Sequence, residues 1–109
     1  MTTLTSVDLC SVDDVPAGQI RQFPVDGLDV AVAVANVEGE FFAFEDRCTH
    51  GEASLAEEGE LSGHIVECGW HGGQFDIRSG VPMASPCTVD LKTYQIEVRE
   101  GRVHLRLQR

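Results

Sequence analysis

Apolar residues alternate with other residues along much of the chain, a period of two that is typical of strands with one buried face. The alternation is clearest in LDVAVAVAN, residues 28–36, and later segments are rich in branched and aromatic side chains. The pattern predicts strands at 4–9, 18–24, 28–36, 40–46, 63–67, 94–100 and 102–108. Because the periodicity is mostly two rather than 3.6, we expect an all-β protein.

Turn signals separate these segments. Asp26-Gly27, Glu38-Gly39 and Glu100-Gly101 each pair an acidic residue with glycine, and the last two are spaced as tight hairpins. Residues 11–18 (SVDDVPAG) form the predicted turn between the first two strands. The succession of short strands and turns predicts an antiparallel β-barrel or sandwich.

The stretch from Asp46 to Val81 interrupts this pattern. Glycine recurs within it and its apolar runs are brief. A loop-rich segment of this length inside a compact domain is either functional or disordered. Because candidate ligands lie toward both of its ends, we expect it to be functional.

Length and composition define the class of protein. The chain has 109 residues, enough for one domain with a modest core, and 42% of them are apolar. No apolar run approaches the ~18 residues of a membrane span, and the start MTTLTSVDLC has no basic or apolar signal region. We therefore expect a cytoplasmic protein whose four cysteines are ligands or free thiols rather than disulfides.

The chain is strongly acidic, since 18 Asp and Glu against 8 Lys and Arg give a net charge of −10. Nucleic acid and anionic membranes bind basic surfaces, so neither is an expected partner. Acidic residues are concentrated at Glu45, Asp46, Glu52, Glu57, Glu58 and Glu60. Docking to a basic partner and simple solvation of a loop both account for this acidic loop, and the sequence does not separate them.

Two thiols and two imidazoles stand out as candidate metal ligands. Cys48 and His50 form C-x-H, and Cys68 and His71 form C-x-x-H. All four could close one tetrahedral zinc site, and copper also favours Cys and His. The other candidate is a [2Fe-2S] cluster in which two histidines replace two cysteines on one iron. Glycine follows each histidine, which lets the backbone approach sulfide closely or simply makes a turn.

The two boxes RCTHGEA (47–53) and ECGWHGGQFD (67–76) resemble the ligand boxes of Rieske iron–sulfur domains. The stretch from Gly80 to Pro86 is similar to the proline loop that covers the cluster in that family, and the resemblance spans essentially the whole chain. It implies that Cys48 and Cys68 bind the inner iron and that His50 and His71 bind the outer one. It also implies a base β domain from 1–45 and 82–109, with an inserted cluster-binding subdomain at 46–81.

Several positions depart from the high-potential members of the family. Those members carry a disulfide between the boxes, where this chain has Ala53 and Trp70. They also use a serine and a tyrosine hydroxyl as donors to sulfur, where this chain has Gly73 and Phe75. Because hydrogen bonds to sulfur raise the cluster potential, the resemblance implies a low-potential member.

A free-standing low-potential Rieske domain resembles the ferredoxin component of bacterial aromatic-ring-hydroxylating dioxygenases. The resemblance implies a monomeric electron carrier between an NADH-dependent flavoprotein reductase and a terminal oxygenase. We do not expect an enzyme, because beyond the two boxes only His64 and His104 remain for the mononuclear iron site that an oxygenase needs. The alternatives are a small non-catalytic subunit, such as that of nitrite reductase, and a zinc-binding module.

The reduction potential tests this interpretation. We expect a Rieske-type visible and EPR spectrum and a potential of roughly −150 mV, at the low end of the Rieske range, because the sulfurs lack the two hydroxyl donors. Redox titration of the purified protein measures it. A potential above zero contradicts the low-potential interpretation, and a colourless zinc protein contradicts the cluster itself.

Overall fold

The computed structural model describes residues 4–47, 54–69, 73–84 and 89–108. Almost all regular structure in these ranges is antiparallel strand, which confirms the predicted all-β class. The strands are β1 Leu4–Ser11, β2 Ile20–Phe23, β3 Val32–Val37, β4 Glu40–Glu45, β5 Gly59–Ser62, β6 Ile65–Cys68, β7 Gln74–Asp76, β8 Pro82–Ala84, β9 Thr93–Arg99 and β10 Arg102–Gln108. A short helix α1, Leu55–Glu58, and a 3₁₀ turn, Val12–Asp14, complete the list.

The larger sheet has the strand order β1-β10-β9-β4-β3-β2. Two of its hairpins close at turns that the sequence predicts. Glu38 and Gly39 have φ of 53° and 91°, and Glu100 and Gly101 have φ of 51° and 74°. Positive φ at both central residues is the two-residue hairpin geometry that suits the twist of the flanking strands. Both hairpin predictions are confirmed.

The predicted strand at 28–36 is too long at its start, because β3 begins at Val32. Gly27 has φ of 89°, and the amide of Leu28 donates to the carbonyl of Val25 at 3.1 Å, which closes a turn. Leu28 nevertheless packs against the buried cluster of the larger sheet that contains Val32, Val34 and Leu105. Its apolar side chain therefore continues the alternation without belonging to the strand.

The described part of 46–81 is not loop-rich, which corrects the expectation from sequence. It contains α1 and the strands β5, β6 and β7, and β8 extends the same small sheet to Ala84 in the order β5-β6-β7-β8. These strands have only three or four residues each. A period of two repeats too few times in so short a strand to be recognised among glycines.

Two apolar clusters lie on opposite faces of β3. Val32 and Val34 belong to one cluster, here called the base cluster, which also contains Ala43, Val103 and Leu105. Ala33 and Ala35 belong to a second cluster, which is shared with the small sheet. All four β3 side chains are fully buried. The second cluster contains Phe44 of β4 together with residues that lie after Asp46 in the chain, which are Leu55, Val66, Cys68, Phe75 and Ile77. The small sheet therefore shares an apolar core with one face of the larger sheet.

Neither helix in the described ranges has the length or apolar character that crossing a membrane requires.

Candidate metal centre

One of the four predicted ligands lies within the described residues. Cys68 is the last residue of β6 and is only 1% exposed. Cys48, His50 and His71 lie outside the described residues, as do Ala53 and Trp70. The described residues alone hold no group of three His, Cys, Asp or Glu side chains that could bind a metal. The structure does describe the residues that precede and follow the two ligand boxes.

The first box leaves the base at the end of β4. The amide of Glu45 donates to the carbonyl of Lys92 at 2.8 Å, and the amide of Asp46 donates to the carbonyl of Ala31 at 2.9 Å. The chain re-enters the described structure at Ser54, the N-cap of α1, whose side chain accepts from the amide of Glu57. Both flanks of the first box are therefore tied to ordered backbone.

The second box closes a hairpin of the small sheet. Glu67 of β6 pairs with Gln74 of β7, and the amide of Cys68 donates to the carbonyl of Gly73 at 2.7 Å. This pairing brings the two ends of the 69–73 segment side by side. The described residues on either side of positions 70–72 are therefore hydrogen-bonded neighbours.

Cys68 fits the role of an iron ligand. Its side chain shares an apolar cluster with Leu55, Val66 and Phe75, all fully buried. Iron–sulfur clusters are held by cysteine thiolates, and their potential depends on burial and solvent exposure. The Cys68 side chain is of this ligand type, and its apolar neighbours screen the sulfur from water.

Helix α1, which follows the first box, lies against the strand that carries Cys68. A Cβ on Gly69 would collide with the backbone carbonyl of Glu58, the last residue of α1, and a Cβ on Gly59, the C-cap of α1, would lie 3.1 Å from the carbonyl of Glu67 on β6. The hairpin that carries Cys68 and the helix that follows the first box are thus in backbone contact. Glycine at these two positions permits that approach.

The positions that lack hydroxyl donors can now be placed. Phe75 is fully buried on β7, opposite Val66, and lies in the same cluster as Cys68. Gly73 presents only its backbone, and its carbonyl accepts from the amide of Cys68. A hydroxyl at position 75 would therefore lie on the same side of the small sheet as the Cys68 sulfur.

The remaining cysteine and histidines in the described ranges are separate from Cys68. Cys10 is buried, and this burial, together with the negative charge of Asp14, raises the pKa of its thiol to about 11. His64 lies in the turn between β5 and β6 with its ring edge-on to Phe42 at 5.4 Å. His104 is half-buried on β10.

The acidic loop has structural contacts that the sequence did not reveal. The amide group of Gln22 on β2 donates to the Glu57 carboxylate at 2.7 Å, so Glu57 connects α1 to the base. Glu60 and Glu67 are both exposed and face each other across β5 and β6. A docking role for this loop stays a prediction.

A charged turn follows the second box. The Arg78 guanidinium donates to both carboxylate oxygens of Asp76, at 3.1 and 2.8 Å, and these hydrogen bonds lower the pKa of Asp76 to about 2. The amide of Gly80 donates to the carbonyl of Asp76 at 2.7 Å. The carboxylate thus stays ionised at neutral pH and holds the turn that connects β7 to β8.

Comparison with known proteins now identifies the family. The family model of the Rieske [2Fe-2S] domain matches residues 5–95. The chain belongs to the Rieske family. This confirms the resemblance seen in the two boxes and supports a Rieske iron–sulfur cluster as its cofactor.

The relatives of this Rieske domain are ferredoxins of dioxygenase systems. The chain is 46% identical over 97 residues to the ferredoxin component of the p-cumate 2,3-dioxygenase system of Pseudomonas putida, covering 89% of this chain and 81% of that protein. It is 48% identical over 99 residues to the biphenyl dioxygenase ferredoxin subunit of Pseudomonas sp. strain KKS102, covering 91% and 88%.

A solved structure of similar fold is the complex of reduced oxygenase and oxidized ferredoxin in carbazole 1,9a-dioxygenase. One chain of it superposes with a TM-score of 0.85 at 43% identity, covering 92% of this chain and 91% of that one. Since the match covers most of both chains, the likeness is between whole Rieske ferredoxin folds.

Phe75 gives a direct test of sulfur hydrogen bonding in this Rieske domain. We expect Phe75→Tyr to raise the reduction potential by about 65 mV, because a hydrogen bond to a charged group contributes on the order of 1.5 kcal/mol, which equals about 65 mV for a one-electron couple. Redox titration measures the shift. Phe41→Tyr, which adds a hydroxyl within the base cluster, is the control, and an equal shift in both variants contradicts the assignment.

Proposed function

We propose that this Rieske domain is a one-electron carrier whose [2Fe-2S] cluster is held by Cys48 and Cys68 on one iron and by His50 and His71 on the other. The observation that carries the proposal is the buried Cys68 sulfur at the end of the β6–β7 hairpin, in a chain that matches the Rieske model over 5–95. Residues 46–81 then serve as the cluster-binding subdomain and 1–45 with 82–109 as the base, except that β8 (Pro82–Ala84) pairs with the small sheet.

Cluster charge explains why this ligand set suits a carrier. Two ferric ions, two sulfides and two thiolates sum to zero, and the two imidazoles add no charge, so the bound group accepts one electron more readily than an all-cysteine cluster does. In the proposed arrangement the cysteines lie toward the protein interior, as Cys68 does. His50 and His71 would face solvent and give the electron a route to a partner without a substrate pocket.

The names of the relatives support specific partners. They are ferredoxin components of aromatic dioxygenase systems, and one similar fold was solved in complex with its oxygenase. We therefore propose that this chain takes electrons from an NADH-dependent flavoprotein reductase and delivers them to a terminal oxygenase. A monomer in the cytoplasm suits this role, because the carrier must meet two partners in turn.

Ligand substitution tests the proposed coordination. We expect Cys68→Ala and His71→Ala to abolish the Rieske EPR signal, because each removes one iron ligand. The matched controls are Cys10→Ala, at an equally buried cysteine, and His64→Ala, at a histidine outside the boxes; both should keep two irons per chain. Iron analysis and EPR are the measurements. Full iron in Cys68→Ala, or its loss in Cys10→Ala, contradicts the assignment.

Stepwise electron transfer tests the function itself. Anaerobic NADH with a flavoprotein reductase of an aromatic dioxygenase system should bleach the visible absorbance of the holoprotein, and addition of the oxidised terminal oxygenase should restore it. The absorbance change is expected because the cluster gains and then loses one electron. Cys68→Ala, which lacks a proposed iron ligand, is the control and should show neither change. A protein that is reduced by the reductase but never reoxidised by an oxygenase is not a dioxygenase carrier.

A further inference from the structure

Asp46 is a buried acidic residue at the boundary between the base and the first box. It is 6% exposed and follows β4 directly. A buried carboxylate is costly unless hydrogen bonds satisfy it, so its partners indicate what the rest of the fold gains from it. Both partners lie on the far side of the first box.

The Asp46 carboxylate bridges the two ends of that box. One oxygen accepts from the Ser54 hydroxyl at 2.6 Å, and the other accepts from the Ala56 amide at 2.8 Å. The Asp46 amide donates to the carbonyl of Ala31 at 2.9 Å, so this residue is itself anchored to the base. One side chain thus joins the described residues on either side of positions 48–53, the segment that contains Cys48 and His50.

The residues that Asp46 contacts are held in place by a helix cap, by core packing and by a hydrogen bond to the larger sheet. Ser54 caps α1, and Leu55 within α1 is fully buried in the cluster that contains Cys68. Glu57 in the same helix accepts from Gln22 of β2. The Asp46 carboxylate is therefore fastened to a helix that is itself held by the core and by the base.

Closing a short segment at its ends removes conformational freedom from the residues between them. Two metal ligands in such a segment keep their spacing only if the ends stay together, and groups beyond the ligands that orient them change metal affinity strongly when they are removed. The two groups that donate to the Asp46 carboxylate are the hydroxyl of Ser54, which caps α1, and the backbone amide of Ala56 within α1.

We propose that Asp46 is a positioning residue that holds the first box closed, so that Cys48 and His50 retain the spacing that the cluster needs. This rests on the proposed coordination, since it requires that the two side chains be ligands. Asp46 itself does not touch the metal in this proposal. It acts through Ser54 and Ala56.

The test compares Asp46→Ala with a matched variant of the base. Asn36 is also a buried polar residue, 7% exposed, and its side chain also makes two hydrogen bonds, donating to the carbonyl of Val15 at 2.8 Å and accepting from the Gly39 amide at 2.7 Å. Asn36→Ala therefore removes a comparable pair of hydrogen bonds away from the box. The measurements are the rate of iron transfer from the holoprotein to a chelator, well below the unfolding temperature, and the EPR line shape.

We expect Asp46→Ala to release iron about 10-fold faster than the parent protein, with broadened EPR features, because removing such an outer group commonly changes metal affinity by that factor. Asn36→Ala should lower the unfolding temperature but keep the parent release rate. Asp46→Asn retains one acceptor for the Ala56 amide and should give an intermediate rate, which keeps the test open where Asp46→Ala folds poorly.

The outcomes separate this inference from the proposed function. A parent protein without a Rieske signal overturns both. A parent with the signal and an Asp46→Ala variant that releases iron at the parent rate overturns the positioning role alone. Equal acceleration in Asp46→Ala and Asn36→Ala also overturns it, since the effect then reflects general destabilisation.

Discussion

The burial of β3 on both faces is the constraint on which the rest of the fold depends. Val32 and Val34 face the base cluster, and Ala33 and Ala35 face the cluster shared with the small sheet. The small residues on the second face let the small sheet approach closely, because a larger side chain there would have to displace buried neighbours such as Phe44. The placement of Cys68 follows from this contact, since its side chain is part of the shared cluster.

Polar groups at this junction are satisfied individually. Within the described part of the chain, no buried side-chain nitrogen or oxygen lacks a hydrogen-bond partner. Asp46 and Asn36 are the buried polar residues there, and each hydrogen-bonds to a residue separated from it in the chain, Ala56 for Asp46 and Val15 for Asn36. Apolar contact thus brings the two sheets together, while these hydrogen bonds determine where the connecting segments begin and end.

The sequence predicts those features that repeat or that have a local cause. The turns at Glu38-Gly39 and Glu100-Gly101 were found because an acidic residue followed by glycine between two strands has a specific backbone geometry. The sequence places the start of β3 too early, because Leu28 continues the apolar pattern and packs against the base cluster although it lies before the strand. Strands β5, β7 and β8 were missed because they are too short for periodicity to show.

The candidate site also has a part that the sequence predicts and a part that it does not. Four ligand candidates follow from residue type and spacing, which are local properties. The contacts of Asp46 and Gln22 are not predictable in this way, because Ala56 and Glu57 become their partners only after α1 has packed on the base. A short polar stretch such as 54–58 carries no sign of which distant side chain will bind it. Contacts that hold a ligand segment in place are therefore the part of a site that a single sequence conceals most completely.

The acidic residues near Cys68 have a physical consequence that does not require docking. Glu60 and Glu67 face each other across β5 and β6, an arrangement that costs stability between like charges, although Gln74 donates to Glu67 at 3.0 Å. Glu67 is the neighbour of Cys68 in the chain. In the proposed coordination Cys68 binds iron, and negative charge near a cluster opposes the addition of an electron; salt screens nearby charges less than it screens the distant part of the net charge. With Cys68 as an iron ligand, as proposed, these glutamates would lower the cluster potential, in the same direction as the absence of hydroxyl donors at Gly73 and Phe75, whether or not a basic partner binds them.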